Sequence, residues 1–429
     1  MFVNWYTKDG VRFNFDSGPM QRLYANLDIA KQQGITVILT DWCRGAWTGF
    51  SFGRMDNPTY ATALARGVEH LVKAKGYTNI KYFVMCNEPN FNNGGGFQEY
   101  SAGMQNLSRE WAGRGLRSLV KLTGPDASTS PGWLDQTITE LSGQIHAYDV
   151  HHYAASGTVQ SGGLEGAIRS MWQPVNRDAS AGGKELLITE AGISDNSGNN
   201  SYITTYDYGL NMADYAVQAV RAGTTGIVAW ILDDETYRSP NWGMWSDAAH
   251  GRKLKPFFYP WSLATKLFPP GMTMYNVTSP AGVRILAGND PERGWSFALV
   301  NRNSSKTRVN LTVPSAGNLT YDSYVYSVKK APADGDGIPV PTSRGVPGNL
   351  STGIQVKVPA NAVTFVSGLR PVIADSEHPS PRQAPVARSR RVSGLVLALL
   401  LVALAAILFL MGAVVFRARR QRRMPPPAS

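Results

Sequence analysis

Residues 80–90 read Ile-Lys-Tyr-Phe-Val-Met-Cys-Asn-Glu-Pro-Asn. The first half is apolar and β-prone. From Cys86 it turns polar, and Pro89 with its fixed φ takes the chain out of the strand. A buried strand thus delivers a carboxyl group, Glu88, at its C-terminal end. The same pattern recurs on both sides. Upstream, the apolar run 35–39 ends in Thr40-Asp41-Trp42. Downstream, 116–122 leads to Gly124-Pro125-Asp126, and 145–153 closes on His151-His152-Tyr153. Further on, 185–189 leads to Glu190-Ala191-Gly192, and 226–232 to Asp233-Asp234-Glu235. Helical periodicity fills the intervals: 19–34, 60–75, 100–112, 133–141, 164–172 and 206–222. In the first of these Leu23, Leu27 and Ala30 share a face and Gly34 is the stop.

Buried strands separated by helices predict a parallel sheet covered on both faces. Six strands with polar residues at each C-terminal end match a (β/α)8 TIM barrel, whose chemistry gathers on that face. From about residue 269 helical periodicity gives way to short alternating runs: 283–287, 295–300, 308–313, 321–328, 354–358 and 363–366. Gly, Pro, Asn and Asp punctuate them, which reads as an antiparallel β-sandwich. The expected organisation is an incomplete barrel over 1–268, the sandwich over 269–372, and a Pro/Arg linker over 373–391. A membrane span over 392–416 and a basic tail over 417–429 follow.

The chain has 429 residues, 43% of them hydrophobic and 17% charged, enough for a large core and incompatible with wholesale disorder. Its net charge is +11, yet nine arginines lie between Arg382 and Arg423 with no acid among them. Without those nine the remaining chain carries only +2, which excludes a nucleic-acid partner. Residues 392–416 hold no charge, and at about 1.5 Å per residue they reach about 37 Å, enough to span a hydrocarbon core. Arginines flank both ends. Their excess after the span places the tail in the cytoplasm and the large N-terminal part outside. Residues 1–10 include Lys8 and Asp9 and no apolar signal-peptide core. Cys43 and Cys86 make neither a disulfide scaffold nor a zinc pattern; two buried thiols are favoured over one bridge. No Walker-type loop, dinucleotide fingerprint or metal cluster is present, so no cofactor is expected. The sequons at Asn106, Asn199, Asn276, Asn303, Asn310, Asn318 and Asn349 decide nothing about origin.

Glu88 and Glu190 carry the chemistry. Each ends a predicted strand, and 102 positions separate them. Two carboxyl groups on one barrel face can flank a glycosidic bond, one protonating the leaving oxygen while the other attacks the anomeric carbon. Asn87 is placed to hydrogen-bond the sugar 2-hydroxyl.

The string Val84-Met85-Cys86-Asn87-Glu88-Pro89-Asn90 resembles the fourth-strand acid/base motif of clan A glycoside hydrolases. Ile188-Thr189-Glu190-Ala191-Gly192 resembles their seventh-strand nucleophile motif. The resemblance covers residues 1–265. It implies a retaining β-glycosidase acting on oligo- or polysaccharide, with Glu88 as acid/base and Glu190 as nucleophile. The appended sandwich is similar to that of several exo-acting clan A families. Asp149-Val150-His151-His152-Tyr153 adds support, since strand alternation puts His151 and Tyr153 on one face and His152 on the other. The clan's sixth strand often carries His-x-Tyr toward the sugar, and a Tyr153 phenol donating to Glu190 would hold that group ionised. Alone, His151 would read as a core histidine; with Tyr153 two along it joins the site.

Trp230 stands where the clan has a Trp under the sugar, with ordinary packing as the other reading. Trp42, Trp47, Trp133, Trp242 and Trp245 fall in presumed loops on the same face, some of them sugar-stacking. Asp126, Asp233 and Glu235 are either hydroxyl-binding or solvated loop acids. The other reading of the whole is a membrane-anchored carbohydrate-binding or adhesion protein with an inactive barrel.

Counting back from Glu88 makes 35–39 the clan's third strand, so strands one and two and the first helix are expected to be missing. With them goes the arginine that usually sits near the nucleophile. Such a barrel exposes unpaired strand edges. The reading is a misplaced start or a truncated chain.

Overall fold

The structure is a computed structural model that describes residues 3–43, 52–92, 96–128, 130–196, 201–234, 242–328, 333 and 337–369. The chain divides into a compact unit over residues 1–371 and a second over 372–429. The expected linker, span and tail lie outside the described residues. Among those described, no helix is long and apolar enough to cross a membrane.

The first part alternates as the sequence pattern predicts. It runs α1 (Gly18–Gln32), β1 (Val37–Thr40), α2 (Pro58–Glu69), β2 (Ile80–Val84), α3 (Pro89–Asn92), α4 (Gly96–Gly113) and β3 (Lys121–Ser128). It continues α5 (Pro131–Leu141), β4 (Ala147–Ala154), α6 (Ser156–Ser161), α7 (Gly163–Trp172), β5 (Glu185–Ile193), α8 (Tyr206–Arg221), β6 (Gly226–Ala229) and α9 (Phe258–Leu267). Helix starts are set by local chemistry. Ser17 accepts from the Met20 N–H and Asn57 from the Thr59 N–H, each with a proline inside the first turn. The six strands form one parallel sheet in chain order, β1 to β6. Among the described residues this is a half-barrel of six strands. β1 and β6 stand at its two edges, and Val228 on β6 is 46% exposed.

Three departures from strict pairing matter for the site. Between β3 and β4 the register skips Asp126; between β4 and β5 it skips Thr189, so that Val150 faces Ile188 but His151 faces Glu190. A third shift separates Ile188 from Ala191 against β6. A bulge re-aims the side chains beyond it. Here it turns Glu190 to the same side as His151.

The third strand begins later than the apolar run 116–122 suggests. Leu116 and Val120 are buried in the turn that leads into β3, and pairing starts at Lys121 and runs through Gly124-Pro125. The cysteine reading is corrected: Cys43 and Cys86 form a disulfide, their Cα atoms 5.1 Å apart. They follow β1 and β2, which are neighbours in the sheet, and this brings two distant residues within bridging range.

The later strands are β7 (Thr273–Tyr275), β8 (Val283–Asp290), β9 (Gly294–Asn301), β10 (Thr307–Leu311), β11 (Asn318–Tyr326), β12 (Ser343–Asn349), β13 (Ile354–Val358) and β14 (Ala362–Ser367). They make a six-stranded antiparallel sheet, β12-β11-β14-β9-β8-β7, and a β10-β13 pair. The two sheets close over Val283, Ile285, Phe297, Leu299, Val309, Val356 and Val366. The large sheet's other face packs on α8 and α9 through Leu286, Val300, Tyr324 and Phe365 against Leu210, Val217 and Leu263. β7, β12 and α9 had no counterpart in the sequence reading. β12 contains Gly345, Pro347 and Gly348, turn residues that a sheet tolerates at its edge, where this strand lies.

Asp214 on α8 ties the two parts together. Fully buried, it takes Nε and Nη2 of Arg284 at 2.6 and 2.5 Å and Nε of Arg302 at 2.7 Å.

Candidate active site

Glu88 stands four residues past the end of β2, with its backbone in the left-handed region at φ 45°. Asp126, at φ 56°, and Cys43, at φ 53°, share that conformation. A non-glycine residue held there is strained, and such strain collects at functional sites. Glu190 lies inside β5, three residues from its end. Its side chain is 11% exposed and that of Glu88 25%, so Glu190 is the more deeply buried of the two.

His151 joins them. Its Nδ1 is 3.0 Å from Glu88 Oε1 and 3.2 Å from Glu190 Oε2, while its Nε2 is 3.1 Å from Asp126 Oδ1. Burial opposes a charge on this ring, but Asp126, Glu190 and Glu88 outweigh it and raise its pKa well above the usual histidine range. Tyr153 donates its hydroxyl to Glu190 Oε2 at 2.7 Å. Burial raises the Glu190 pKa, and hydrogen bonds from His151 and Tyr153 work in the other direction. Burial, then the Glu190 charge, raises the Tyr153 pKa, so the phenol stays a donor.

One ring nitrogen of His151 and one carboxylate oxygen each of Glu88 and Glu190 lie within 4.8 Å of one another. A cation could approach such a set. Both ring nitrogens already face carboxylate oxygens, however, and a proton on the imidazole satisfies the arrangement.

Asn87 is buried at 5% exposure and its N–H donates to the Asp41 carbonyl at 2.8 Å, which fixes the turn carrying Glu88. Asp41 itself is buried. It accepts from Val3 N–H at 2.9 Å, Cys43 N–H at 3.1 Å and the Tyr60 hydroxyl at 2.5 Å, and burial pushes its pKa up to about 6. Trp42 follows β1 and is half-buried. Trp230 follows β6, half-buried, and its backbone N–H donates to the Ala191 carbonyl at 2.9 Å.

Other expectations are revised. Asp126 is not a solvated loop acid; it is 2% exposed and turned toward His151 and Thr189. Its position in the β3 bulge points it into the sheet. Trp133 lies in α5 and packs edge-on to Phe97 at 5.2 Å. Trp245 packs on Phe258, whereas Trp242 meets Tyr153 edge-on at 6.3 Å. His152, as strand alternation predicts, turns away from the carboxylates and pairs with the Tyr215 hydroxyl at 2.9 Å. Asp233 is half-buried; Trp47 and Glu235 lie outside the described residues. Among the described residues, no arginine is paired with Glu190. Sequence reasoning assigned no part to Asp149 and Thr189. The alternation that selects His151 and Tyr153 also selects Asp149, two residues earlier on the same face.

A parallel half-barrel with paired carboxylates at the C-terminal ends of its strands, carrying an antiparallel sandwich, defines a glycoside hydrolase of clan A. The cellulase family (glycosyl hydrolase family 5) is matched over residues 1–236, and the chain belongs to it; the protein is a glycosidase. No curated protein matches the sequence. The fold is similar to that of a GH30 endoxylanase from Clostridium papyrosolvens C71, with 16% identity, 83% of this chain and 85% of that chain covered, and a TM-score of 0.59. A glucosidase from Croceicoccus marinus is similar at 11% identity, covering 84% and 82%, TM-score 0.60. GH30 xylanase C from Talaromyces cellulolyticus is similar at 14% identity, covering 82% and 81%, TM-score 0.58. At these identities the likeness is one of fold.

Proposed function

We propose that this protein hydrolyses β-glycosidic bonds in oligo- or polysaccharides by double displacement, with retention at the anomeric carbon. The observation that carries the reading is the approach of Glu88 and Glu190 within 4.8 Å across one histidine nitrogen. Retaining enzymes hold their carboxyl groups at about 5–5.5 Å, whereas inverting enzymes need about 6.5–9.5 Å to seat a water between them.

In the first step a Glu190 oxygen attacks the anomeric carbon while Glu88 gives its proton to the leaving oxygen. The glycosidic C–O bond breaks and a glycosyl ester forms. In the second, Glu88 takes a proton from water, the water oxygen attacks the same carbon, and Glu190 leaves as carboxylate. Tyr153 and His151 steady the Glu190 charge. Asn87, Trp230 and Trp42 stand on the strand ends that would face the sugar. Hydrolysis of a panel of aryl β-glycosides, followed by NMR, is expected to show the β anomer as first product. The α anomer appearing first, or no hydrolysis of any member, overturns the reading.

We further propose that residues 392–416 anchor the enzyme in a membrane, with the catalytic part outside and the basic tail in the cytoplasm. The charge-free run between arginine clusters supports this. So does the Cys43–Cys86 bridge, which suits an oxidising compartment. Protease added to intact cells is expected to remove the glycosidase region; its survival there would count against the topology.

A further inference from the structure

We propose that Asp126 is a positioning residue of this site. It holds the His151 ring as an imidazolium between Glu88 and Glu190, so that a single Nδ1–H serves the two carboxylates in turn. The proposal rests on the roles given above to Glu88 and Glu190.

The argument starts from hydrogen-bond inventory. The His151 side chain is 1% exposed, with Asp126 at one ring nitrogen and Glu88 and Glu190 at the other. A neutral imidazole donates from one nitrogen only; a ring with carboxylates at both is satisfied by donating from both. Asp126 is in turn held by two further bonds, and the second partner is itself held. The Thr189 hydroxyl donates to its Oδ1 at 2.8 Å. Its own N–H donates to Asp149 Oδ1 at 3.0 Å, and Asp149 Oδ2 accepts the Thr123 hydroxyl at 2.6 Å.

The titratable groups facing this chain come from the neighbouring strands and from α4: Glu88 after β2, Asp126 from β3, Asp149 and Tyr153 from β4, Glu190 from β5, and Tyr100 from α4, whose pKa burial and the Asp149 and Asp126 charges raise so that it stays neutral. Burial and the Asp126 charge raise the Asp149 pKa well above the carboxylate range. Burial works against the Asp126 charge, but His151 overcomes it and holds that pKa below the ordinary value. The negative charge of the pair therefore rests on Asp126, the member that touches the ring.

This gives the histidine a moving task. When Glu190 becomes a glycosyl ester it loses its charge, and the Nδ1–H turns to Glu88, by then the carboxylate awaiting a proton from water. When the ester is cleaved, the bond returns to Glu190. The two oxygens are nearly equidistant from Nδ1, so the exchange needs little movement of the ring.

Imidazole 15N NMR on the full chain, with His151 signals assigned through His151→Gln, reads the ring directly; pH profiles of kcat/KM read its effect. In the unaltered protein His151 is expected to stay protonated well above the pH at which an ordinary histidine titrates. Asp126→Asn keeps the shape and removes the charge. It should bring the ring's titration down toward the ordinary range and lower kcat roughly 10-fold or more with KM little changed. It should also raise the acid limb of the profile by about 1 pH unit, because Glu190 loses its cationic neighbour. Thr189→Val removes only a donor to Asp126 and should act in the same direction, more weakly, which covers the case of an Asp126 variant that fails to fold. Ordinary titration of His151 in the unaltered protein overturns the proposal. So does an Asp126→Asn chain that loses stability alone, with ring titration and pH limb unmoved. The NMR result needs no turnover. A failure of the Glu88 and Glu190 assignment, seen as normal turnover in their variants, is thus distinguishable from a failure of this one.

Discussion

Glu88→Gln is expected to lower turnover of a natural β-linked oligosaccharide by about 10²–10⁴-fold, and Glu190→Ala by at least as much. The two losses should differ in kind. Glu190→Ala removes the attacking oxygen and leaves a space beside Tyr153 and His151, and a small external nucleophile such as azide should partly restore turnover by entering it. The rescued product would be a glycosyl azide of inverted configuration. Glu88→Gln removes the proton that a poor leaving group needs. An aryl glycoside with an acidic phenol needs it less, so the loss of kcat/KM should shrink as the phenol becomes more acidic. Turnover within a few-fold of normal in either variant, or equal losses of Glu88→Gln on all leaving groups, would contradict the assigned roles. The geometry motivating this is the approach of Glu88 and Glu190 to one another within 4.8 Å.

Asp214→Ala should cost about 3–5 kcal/mol of stability, read as a lower guanidinium midpoint. The carboxylate is wholly buried, and Arg284 and Arg302 have side chains only 14% and 11% exposed. Removing the anion leaves two guanidinium groups close together, largely out of water and without their partner. The penalty is mainly that of the stranded charges. A variant that also replaces Arg284 and Arg302 with apolar residues of similar volume should therefore recover most of the loss. Asp214 lies on α8 and the arginines on or next to β8 and β9, so the same substitution should loosen the sandwich from the helix layer. An unchanged midpoint would show the cluster to be energetically neutral.

Much of the half-barrel was legible because each strand carries its own mark: an apolar run that breaks into polar residues. Glu88 and Glu190 stood out for that reason, and alternation along 149–153 separated His151 and Tyr153 from His152. Other features depend on which strands become neighbours. Cys43 and Cys86 are bridged because β1 and β2 lie side by side, a relation that no local window contains. Asp126 reads as a hydroxyl-binding group or a loop acid because the apolar run stops before Gly124-Pro125, yet β3 runs straight through them and buries the carboxylate. Apolar runs also overshoot: 116–122 mixes a buried turn with the first residues of a strand. β12 was missed because glycine and proline mask an edge strand whose pairing comes from β11.

The skipped register at Thr189 has a consequence for how such a site can be lost. Side chains on a strand alternate, so what lies beyond the extra residue depends on whether the count is odd or even. Deleting Thr189 would close the bulge and leave Glu190 opposite His151, on the same face as now. What would go is the hydroxyl that donates to Asp126. A regular strand offers only every second residue to one face; the doubled position lets two consecutive residues, Thr189 and Glu190, serve the same histidine, one through Asp126 and one directly. Both glutamates would survive the loss of that one codon, and only the support beneath the ring would be missing.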